Sequence, residues 1–365
     1  MRVGIFVIMA GRSAGGPETY EVELIRALAK IDPVTEYFVY CTGAEAPRAI
    51  GVRQPNFVYR ILQPPVRPLS IAAALPWLLM RDGVRFYHAT FTPPPLSPKD
   101  YVYTVHCLSS LRHPEFYDRF TALRLNWLLK TGIERASLLT CVSRTTMEHV
   151  AEQFGVPDDR MLVTYNGVGS EFRPASDTAA ARATVDALGV EGPYLLYLGK
   201  RQAHKNLARL VDAYARVKPD AKLVFAGRVQ GASDGVDEAV ARHGLGDRVV
   251  RLGYVPSEAR LPLYQCADVF AFPSLWEGFG IPVVEAMACG TPVLTSTATS
   301  LPEIAGDAAV IVDPLSVESM AEGLARLAFS SDLRDQLRAR GLERAKLFTW
   351  ENCARRTLDA YRRMA

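Results

Sequence analysis

The residues of this chain best placed to do chemistry are two glutamates, Glu277 and Glu285, in SLWEGFGIPVVEAMACGTPVL (residues 274–294). Apolar residues fill nearly everything between and around them. Pro282 has the fixed φ and missing N–H that suit a helix start. Gly278 and Gly280 allow a tight backbone path before it, and Gly290 and Pro292 close the helix. The pattern predicts Glu285 in the first helical turn and Glu277 in the loop facing the same helix end. Complementing the helix dipole would account for Glu285, at about 0.3–1 kcal/mol. It leaves Glu277 unexplained, so the neighbouring motifs decide between structure and chemistry.

Three other segments carry candidate groups. In GKRQAHKN (199–206), Gly199 turns the chain, and Lys200, Arg201 and Lys205 follow before the next helix. Such a loop can aim Arg201 and Lys205 at a diphosphate; the alternative is a solvated basic loop capping a helix. In AGRSAGGPETY (10–20), Gly15, Gly16 and Pro17 at a helix start let exposed N–H groups approach an anion or a sugar. The spacing is not the G-x-G-x-x-G of dinucleotide-binding proteins, which places hydride transfer last among the candidate reactions. His106, directly after the apolar run 101–105, can donate to substrate hydroxyls or phosphate or shuttle protons, or be structural. No Asp-x-Asp pair and no His/Cys cluster with metal spacing occurs. A phosphate leaving group would therefore be neutralised by protein cations and helix ends, each such donor worth about 3–4 kcal/mol. On that ground Arg201 and Lys205 are assigned catalytic electrostatic roles.

These segments need elements to hold them. Apolar runs at 3–9, 37–41, 85–89, 101–105, 137–142 and 161–165 alternate with helical patterns such as 17–30, 118–135 and 144–154. After a polar, turn-rich stretch over 166–193, read as a linker, runs recur at 194–199, 222–227, 248–253, 268–273, 291–295 and 308–313. The rhythm predicts an α/β chain with two tandem, doubly wound, Rossmann-like domains, and each motif falls just after a strand, where such sheets bind ligands. A length of 365 residues agrees with two domains.

Bulk properties exclude several classes. A net charge of +3 is too small to argue for nucleic acid. Locally, Arg48, Arg53, Arg60, Arg67, Arg81 and Arg85 stand against only Asp82 between residues 48 and 85, a skew that would suit anionic lipid, an acidic substrate or solvent. The six cysteines form no C-x-x-C pair, and Cys141 and Cys289 read as small core residues, which fits a reducing, cytoplasmic setting. VGIFVIMA near the N-terminus runs into a glycine loop and reads as a buried strand rather than a signal segment. No apolar run approaches a membrane span, so membrane contact would be peripheral. Helix 118–135 mixes Arg119, Arg124, Lys130 and Arg135 with Leu123, Leu125, Trp127 and Leu128. It reads either as a core helix with a basic outer face or as a helix docking on a membrane that bears a lipid-linked acceptor.

With EGFGIPVVE, GKRQAHKN and the segments GYVPSEARLPLYQCADVFAFPS and GTPVLTSTATSLPEIAGDAAVIVDP in place, the chain resembles the retaining glycosyltransferases of family four (glycosyl transferases group 1) over its whole length. That family has the GT-B architecture of two Rossmann-like domains facing across a cleft. The resemblance implies an acceptor-binding domain over 1–172, with a C-terminal helix 350–365 packing back on it through Leu358 and Tyr361, and a nucleotide-sugar domain over 190–349. Glu285 matches the glutamate that binds both ribose hydroxyls. Glu277 matches the one facing the donor sugar, beside the backbone of Phe279, Gly280 and Ile281. Arg201 and Lys205, after Gly199, match the diphosphate pair. Gly16 matches the first-domain glycine loop, and His106 the histidine touching the sugar. The base would lie near Gly253, Tyr254 and Val255. Each carboxylate accepting two hydroxyl hydrogen bonds suits a vicinal diol.

The implied activity is a hexosyltransferase moving a hexose, mannose by the likeness of LSSLRHPEFY to mannosyl- and rhamnosyltransferase-like members, from a nucleotide-diphosphate sugar to a saccharide or lipid-linked saccharide. No cofactor and no metal are implied, the nucleotide sugar being a co-substrate with UDP, GDP and ADP equally open. The expected partners are donor and acceptor, without nucleic acid. The expected location is the cytoplasm, with peripheral contact at the inner face of the membrane. Many relatives carry His-Asp where this chain has His106-Cys107. Two other readings stay open: a sugar-nucleotide epimerase of the same architecture, against which the glutamate spacing argues, and a catalytically weak donor-binding subunit.

Overall fold

The computed structural model describes residues 1–65, 69–94, 97–231 and 233–365; Arg67 of the basic stretch lies outside them. The chain forms two compact units, Met1–Gly167 with Trp350–Ala365, and Val168–Thr349.

The first unit is built on a parallel sheet of strands β1 (Arg2–Val7), β2 (Glu36–Cys41), β3 (Phe57–Ile61), β4 (Phe86–Ala89), β5 (Tyr101–Val105), β6 (Leu138–Cys141) and β7 (Met161–Val163). Their order is β3-β2-β1-β4-β5-β6-β7. The inner strands are buried on both faces, which is why they read as continuous apolar runs. One core, with Ile5, Val39, Leu24 and Tyr361, lies under helices Gly16–Ile31 and Trp350–Met364. The other, with Phe6, Tyr103, Leu79 and Ile133, lies under helices Leu75–Arg81 and Arg119–Arg135. Strand β3, at the sheet edge, has no counterpart among the sequence-derived runs. Only Phe57 of its residues is buried, the other four being half-buried at the edge, with Arg60 among them.

The second unit carries a parallel sheet in the order β10-β9-β8-β11-β12-β13. Its strands are β8 (Tyr194–Leu198), β9 (Lys222–Ala226), β10 (Val249–Gly253), β11 (Val269–Phe272), β12 (Val293–Ser296) and β13 (Ala309–Val312). Each matches a run read from the sequence.

The stretch over 166–193 differs from the expected linker. The two compact units divide between Gly167 and Val168. Helix Thr178–Asp186 begins where the Asp177 carboxylate accepts the Ala180 N–H at 2.9 Å, and it buries Ala181 and Val185. An N-cap and two buried apolar residues fold this segment into the second compact unit. Among the described residues no helix is long and apolar enough to cross a membrane. All six cysteines are free thiols, with Cys141 and Cys289 buried.

Candidate functional site

In the first unit, the loop after β1 is shaped by two glutamates of the following helix. Glu21 is fully buried and accepts the N–H groups of Ile8, Met9 and Ala10 at 3.0, 2.7 and 2.8 Å, and the Thr90 hydroxyl at 2.8 Å. Burial raises its pKa, and these four donors oppose the rise. Glu18 accepts the N–H groups of Gly11, Arg12 and Ala14 at 2.8, 3.2 and 2.6 Å. Most amides of the loop are thus occupied. Gly15 takes φ 76° and ψ −137°, a conformation that requires glycine, and helix Gly16–Ile31 starts without a side-chain cap. A Cβ placed on Gly16 would meet nothing within 4 Å, so open space lies over that residue.

His106 follows β5 and is half-buried. Its Nε2–H donates to the Thr90 carbonyl at 2.8 Å, which leaves the lone pair on Nδ1. The edge-on ring of Tyr20, 4.7 Å between centroids, and that of Phe91 at 5.5 Å hold it in place. Burial lowers its pKa to about 4, against a smaller opposing effect of the Thr90 carbonyl. Cys107 Sγ lies 3.1 Å from the Ser109 hydroxyl, which in turn meets the Tyr117 hydroxyl at 2.6 Å.

In the second unit, four strand ends bring the remaining candidates together. Gly199 at the end of β8 meets Gly227 at the end of β9 so closely that a Cβ on Gly227 would stand 1.9 Å from the Gly199 carbonyl oxygen. The loop continues the pairing: Arg201 N–H donates to Arg228 O, and Gln230 N–H to Arg201 O, both at 2.9 Å. Arg201 is buried, and its Nε and Nη2 grip Asp234 at 2.7 and 2.9 Å. Lys205 ends the short turn Ala203–Lys205, and its Nζ donates to Glu277 Oε1 at 2.5 Å. The ring of Phe272 lies 5.3 Å beneath that ammonium.

The backbone of Glu277 is clamped by two hydroxyls. Its N–H donates to Thr299 Oγ1 at 2.9 Å, and its carbonyl accepts Thr299 Oγ1 and Ser300 Oγ at 2.7 and 3.1 Å. Ser300 also reaches the Phe279 carbonyl at 3.2 Å. Gly280, at φ 102°, leads into helix Ile281–Ala288, whose first turn carries no side-chain cap. Glu285 is the fifth residue of that helix, one residue deeper than the sequence suggested and just past the first turn, because the helix begins at Ile281 and Pro282 is its second residue. It is buried, accepting Arg260 Nη2 at 2.9 and 3.2 Å and the Tyr264 hydroxyl at 2.8 Å. Attraction to this carboxylate raises the pKa of Arg260, and burial, then Glu285, raises that of Tyr264. A buried, paired carboxylate one turn in is not explained by the helix dipole, which acts within the first turn.

Gly253 closes β10 at φ 64°, where the register with β9 shifts. Tyr254 beside it is exposed, with the Arg228 guanidinium 4.9 Å over its ring. The second unit therefore gathers Arg201, Lys205, Glu277, Phe279, Gly280, Ile281 and Glu285 at strand ends, while Gly16 and His106 belong to the first. Sequence reasoning missed Glu18, Glu21, Asp234, Arg260, Tyr264, Thr299 and Ser300. Glu18 lies inside AGRSAGGPETY and Glu21 directly after it, and Arg260, Tyr264, Thr299 and Ser300 lie within the longer segments that carry the family resemblance; only Asp234 falls outside every segment singled out.

Residues 14–172 match the family described as Glycosyltransferase Family 4, and residues 185–344 that described as Glycosyl transferases group 1. The O-antigen chain mannosyltransferase B of Escherichia coli is 31% identical over 317 residues, which cover 85% of this chain and 81% of that protein. The D-inositol 3-phosphate glycosyltransferase of Xylanimonas cellulosilytica is 28% identical, with 95% and 91% covered. Sucrose-phosphate synthase from Thermosynechococcus elongatus shares the fold with a TM-score of 0.81 at 22% identity, over 100% of this chain and 99% of that one. Anabaena HepE in complex with UDP-glucose does so with a TM-score of 0.78 at 19% identity, over 99% of both chains.

Proposed function

This chain belongs to the family 4, group 1 glycosyltransferases and has their GT-B fold of two Rossmann-like domains, and on that premise we propose that it moves mannose from a nucleoside-diphosphate donor onto a saccharide or lipid-linked saccharide, with retention and without a metal ion. The observation that carries the donor site is the uncapped start of helix Ile281–Ala288 with a carboxylate on either side: Glu277 in the loop, held by Lys205, and Glu285 in the second turn, held by Arg260 and Tyr264. Glu285 accepts the ribose diol and Glu277 the hydroxyls of the sugar. Lys205, Arg201 and the amides of Phe279, Gly280 and Ile281 stabilise the charge that develops on the diphosphate. The base packs along Gly253, Tyr254 and Val255, where the Arg228–Tyr254 stack offers a flat face.

The acceptor oxygen bonds to the anomeric carbon as the bond to the phosphate oxygen breaks. The acceptor proton passes to the departing diphosphate, on the same face. Glu277 is bound to Lys205 and acts as a hydrogen-bond acceptor, not a nucleophile. His106, neutral at physiological pH, accepts a donor-sugar hydroxyl on Nδ1, and Gly16 gives the phosphate and the acceptor close passage along the first-domain loop. The mannosyl group and a glycan acceptor of the O-antigen type are supported by the likeness to the Escherichia coli O-antigen mannosyltransferase. Free thiols throughout support a cytoplasmic setting. Membership of a transferase family sets aside the epimerase reading.

The test is calorimetric binding of UDP, GDP and ADP without added metal, then transfer assays over sugars on the preferred nucleotide with the product's anomeric configuration read by NMR. Preference for one base and a retained mannoside are expected. An inverted product would overturn the mechanism, and no binding to any nucleotide would overturn the site. Lys205→Ala should lower kcat by about 10²–10³ while leaving nucleotide binding within about tenfold, since its charge counts most in the transition state. A loss confined to KM would contradict that role.

A further inference from the structure

Residues 295–300 read TSTATS, and their hydroxyls run along the backbone of the donor-site loop. The backbone ladder between β11 and β12 stops at Phe272 and Thr295. Beyond it the side chains take over. Thr295 and Ser296 donate to the Phe272 and Ser274 carbonyls at 3.0 and 2.6 Å. Thr299 donates to the Glu277 carbonyl, and Ser300 reaches those of Glu277 and Phe279. The hydroxyls thus follow the chain from the end of β11 to the bend before helix Ile281–Ala288. At that bend Leu301 stands 2.8 Å from a Cβ position on Gly280, so the same segment also shapes the helix start.

Thr299 differs from the other hydroxyl residues in two ways. Its Oγ1 holds both backbone groups of one residue, accepting the Glu277 N–H while donating to the Glu277 carbonyl. Its φ is 48°. Among the described residues the other non-glycines with positive φ are Ser13, Asn206 and Lys218, and Thr299 alone of these is β-branched, the type least suited to that conformation. Such strain persists only where the surroundings over-determine it. Glycine would take this φ freely, so the turn alone does not call for threonine. The hydroxyl on Glu277 does. Lys205 binds one oxygen of the Glu277 carboxylate, and the direction of the other depends on how the Glu277 peptide is held. Hydrogen bonds weaken steeply with misalignment, so a carboxylate that distinguishes sugar hydroxyls needs that peptide fixed.

We propose that Thr299 is a positioning residue for donor-sugar specificity, trading backbone strain for a fixed Glu277, a role that rests on Glu277 being the residue that accepts the sugar's hydroxyls.

The test is the affinity of the full chain for the mannose and glucose forms of UDP, GDP and ADP, each beside its free nucleotide. Wild type should favour one sugar by about tenfold or more on the base it binds best, the worth of one charge-assisted hydrogen bond. Thr299→Val keeps the β-branch and deletes the hydroxyl. It should cut the preference to about threefold or less while free-nucleotide affinity stays within about threefold, because Glu285 and the diphosphate contacts are intact. Thr299→Ser should keep the wild-type preference. Thr299→Gly relieves the positive φ, so it should melt above Thr299→Val and yet discriminate as poorly, a divergence that general loss of structure would not produce. Glu277→Gln should lose the preference as well. Loss in Glu277→Gln with full preference in Thr299→Val overturns the proposal and leaves the reading of Glu277 standing. No preference in wild type, or one that survives Glu277→Gln, overturns both. A Thr299→Ser protein as undiscriminating as Thr299→Val, or free-nucleotide binding lost in step with sugar preference, would also overturn the proposal.

Discussion

Glu285 is a buried carboxylate with a guanidinium and a phenol already on it, and that arrangement decides what it can do. Two donors occupy part of its lone-pair capacity and fix the rest in direction, which suits a diol arriving with its own two hydroxyls. Glu285→Ala should weaken nucleotide binding by about tenfold, the loss of roughly one charge-assisted hydrogen bond. It should also erase discrimination between ribose and 2′-deoxyribose nucleotides. Calorimetry with both sugars checks this, and equal ribose preference in the two proteins would remove the assignment. Arg260→Leu leaves the carboxylate with Tyr264 alone. The expected cost in stability is about 1–2 kcal/mol, less than for a fully buried pair because Arg260 reaches solvent. A urea midpoint unchanged from wild type would show that the pair contributes nothing. Glu277, Glu285, Arg201 and Lys205 were legible because their types and spacing stand out in apolar or glycine-rich surroundings. Their partners were not. Asp234 lies 33 residues from Arg201 and Tyr264 21 residues before Glu285, and only the folded sheet joins them.

At the scale of elements, the sequence reads well where strands are buried on both faces and poorly where they are not. Runs such as YLLYL and KLVFA announce β8 and β9, whereas FVYRI at the edge is buried only at Phe57 and is interrupted by Arg60. Helix Thr178–Asp186 hid in a polar stretch because its anchor is an Asp177 cap and only two buried residues. The uncapped helix start at Ile281 was visible, and its true depth was not, since Pro282 fits either of the first two positions. The meeting of the β8 and β9 loops has no sequence signature at all. Gly227 at φ 142° packs against the Gly199 carbonyl, and this approach sets where Arg201 leaves the sheet. Gly227→Ala should therefore do two things at once. Stability should fall by about 1–3 kcal/mol from strain, and donor affinity should fall as the 199–205 loop shifts. Thermal melting and nucleotide titration check the pair. A destabilised variant with wild-type affinity would mean the loop does not transmit the strain.

Across the whole molecule, acid should act through histidines held neutral in both units. Burial lowers His88 to about 3 and His106 to about 4 in the first unit, and His204 to about 4 in the second. His88 is enclosed by the Tyr361 hydroxyl at 2.8 Å and Thr104 Oγ1 at 2.6 Å, and Thr104 Oγ1 meets Tyr20, whose ring edges against His106. The C-terminal helix and His88 thus share one buried polar network, which His106 meets through the Tyr20 ring and in which a charged imidazole would have no counterion. In an unfolded chain each histidine titrates near 6.5. Below that pH the unfolded state takes up protons that the folded state refuses until pH falls to about 4 or lower. The sign follows: the stability these groups contribute is complete above about pH 6.5 and drains away as pH falls toward 4. Each histidine should cost about 1–2 kcal/mol by pH 5, within the limit of ~1.4 kcal/mol per pH unit for one proton. Urea midpoints measured from pH 8 to pH 5 should be level at first and then decline. His204→Gln should flatten the decline for the second unit, where the charged groups that act on it, Lys205 and Glu277, also lie. A midpoint that stays level to pH 5 would mean the imidazoles accept protons in place, and His106 could then serve as an acid as readily as an acceptor.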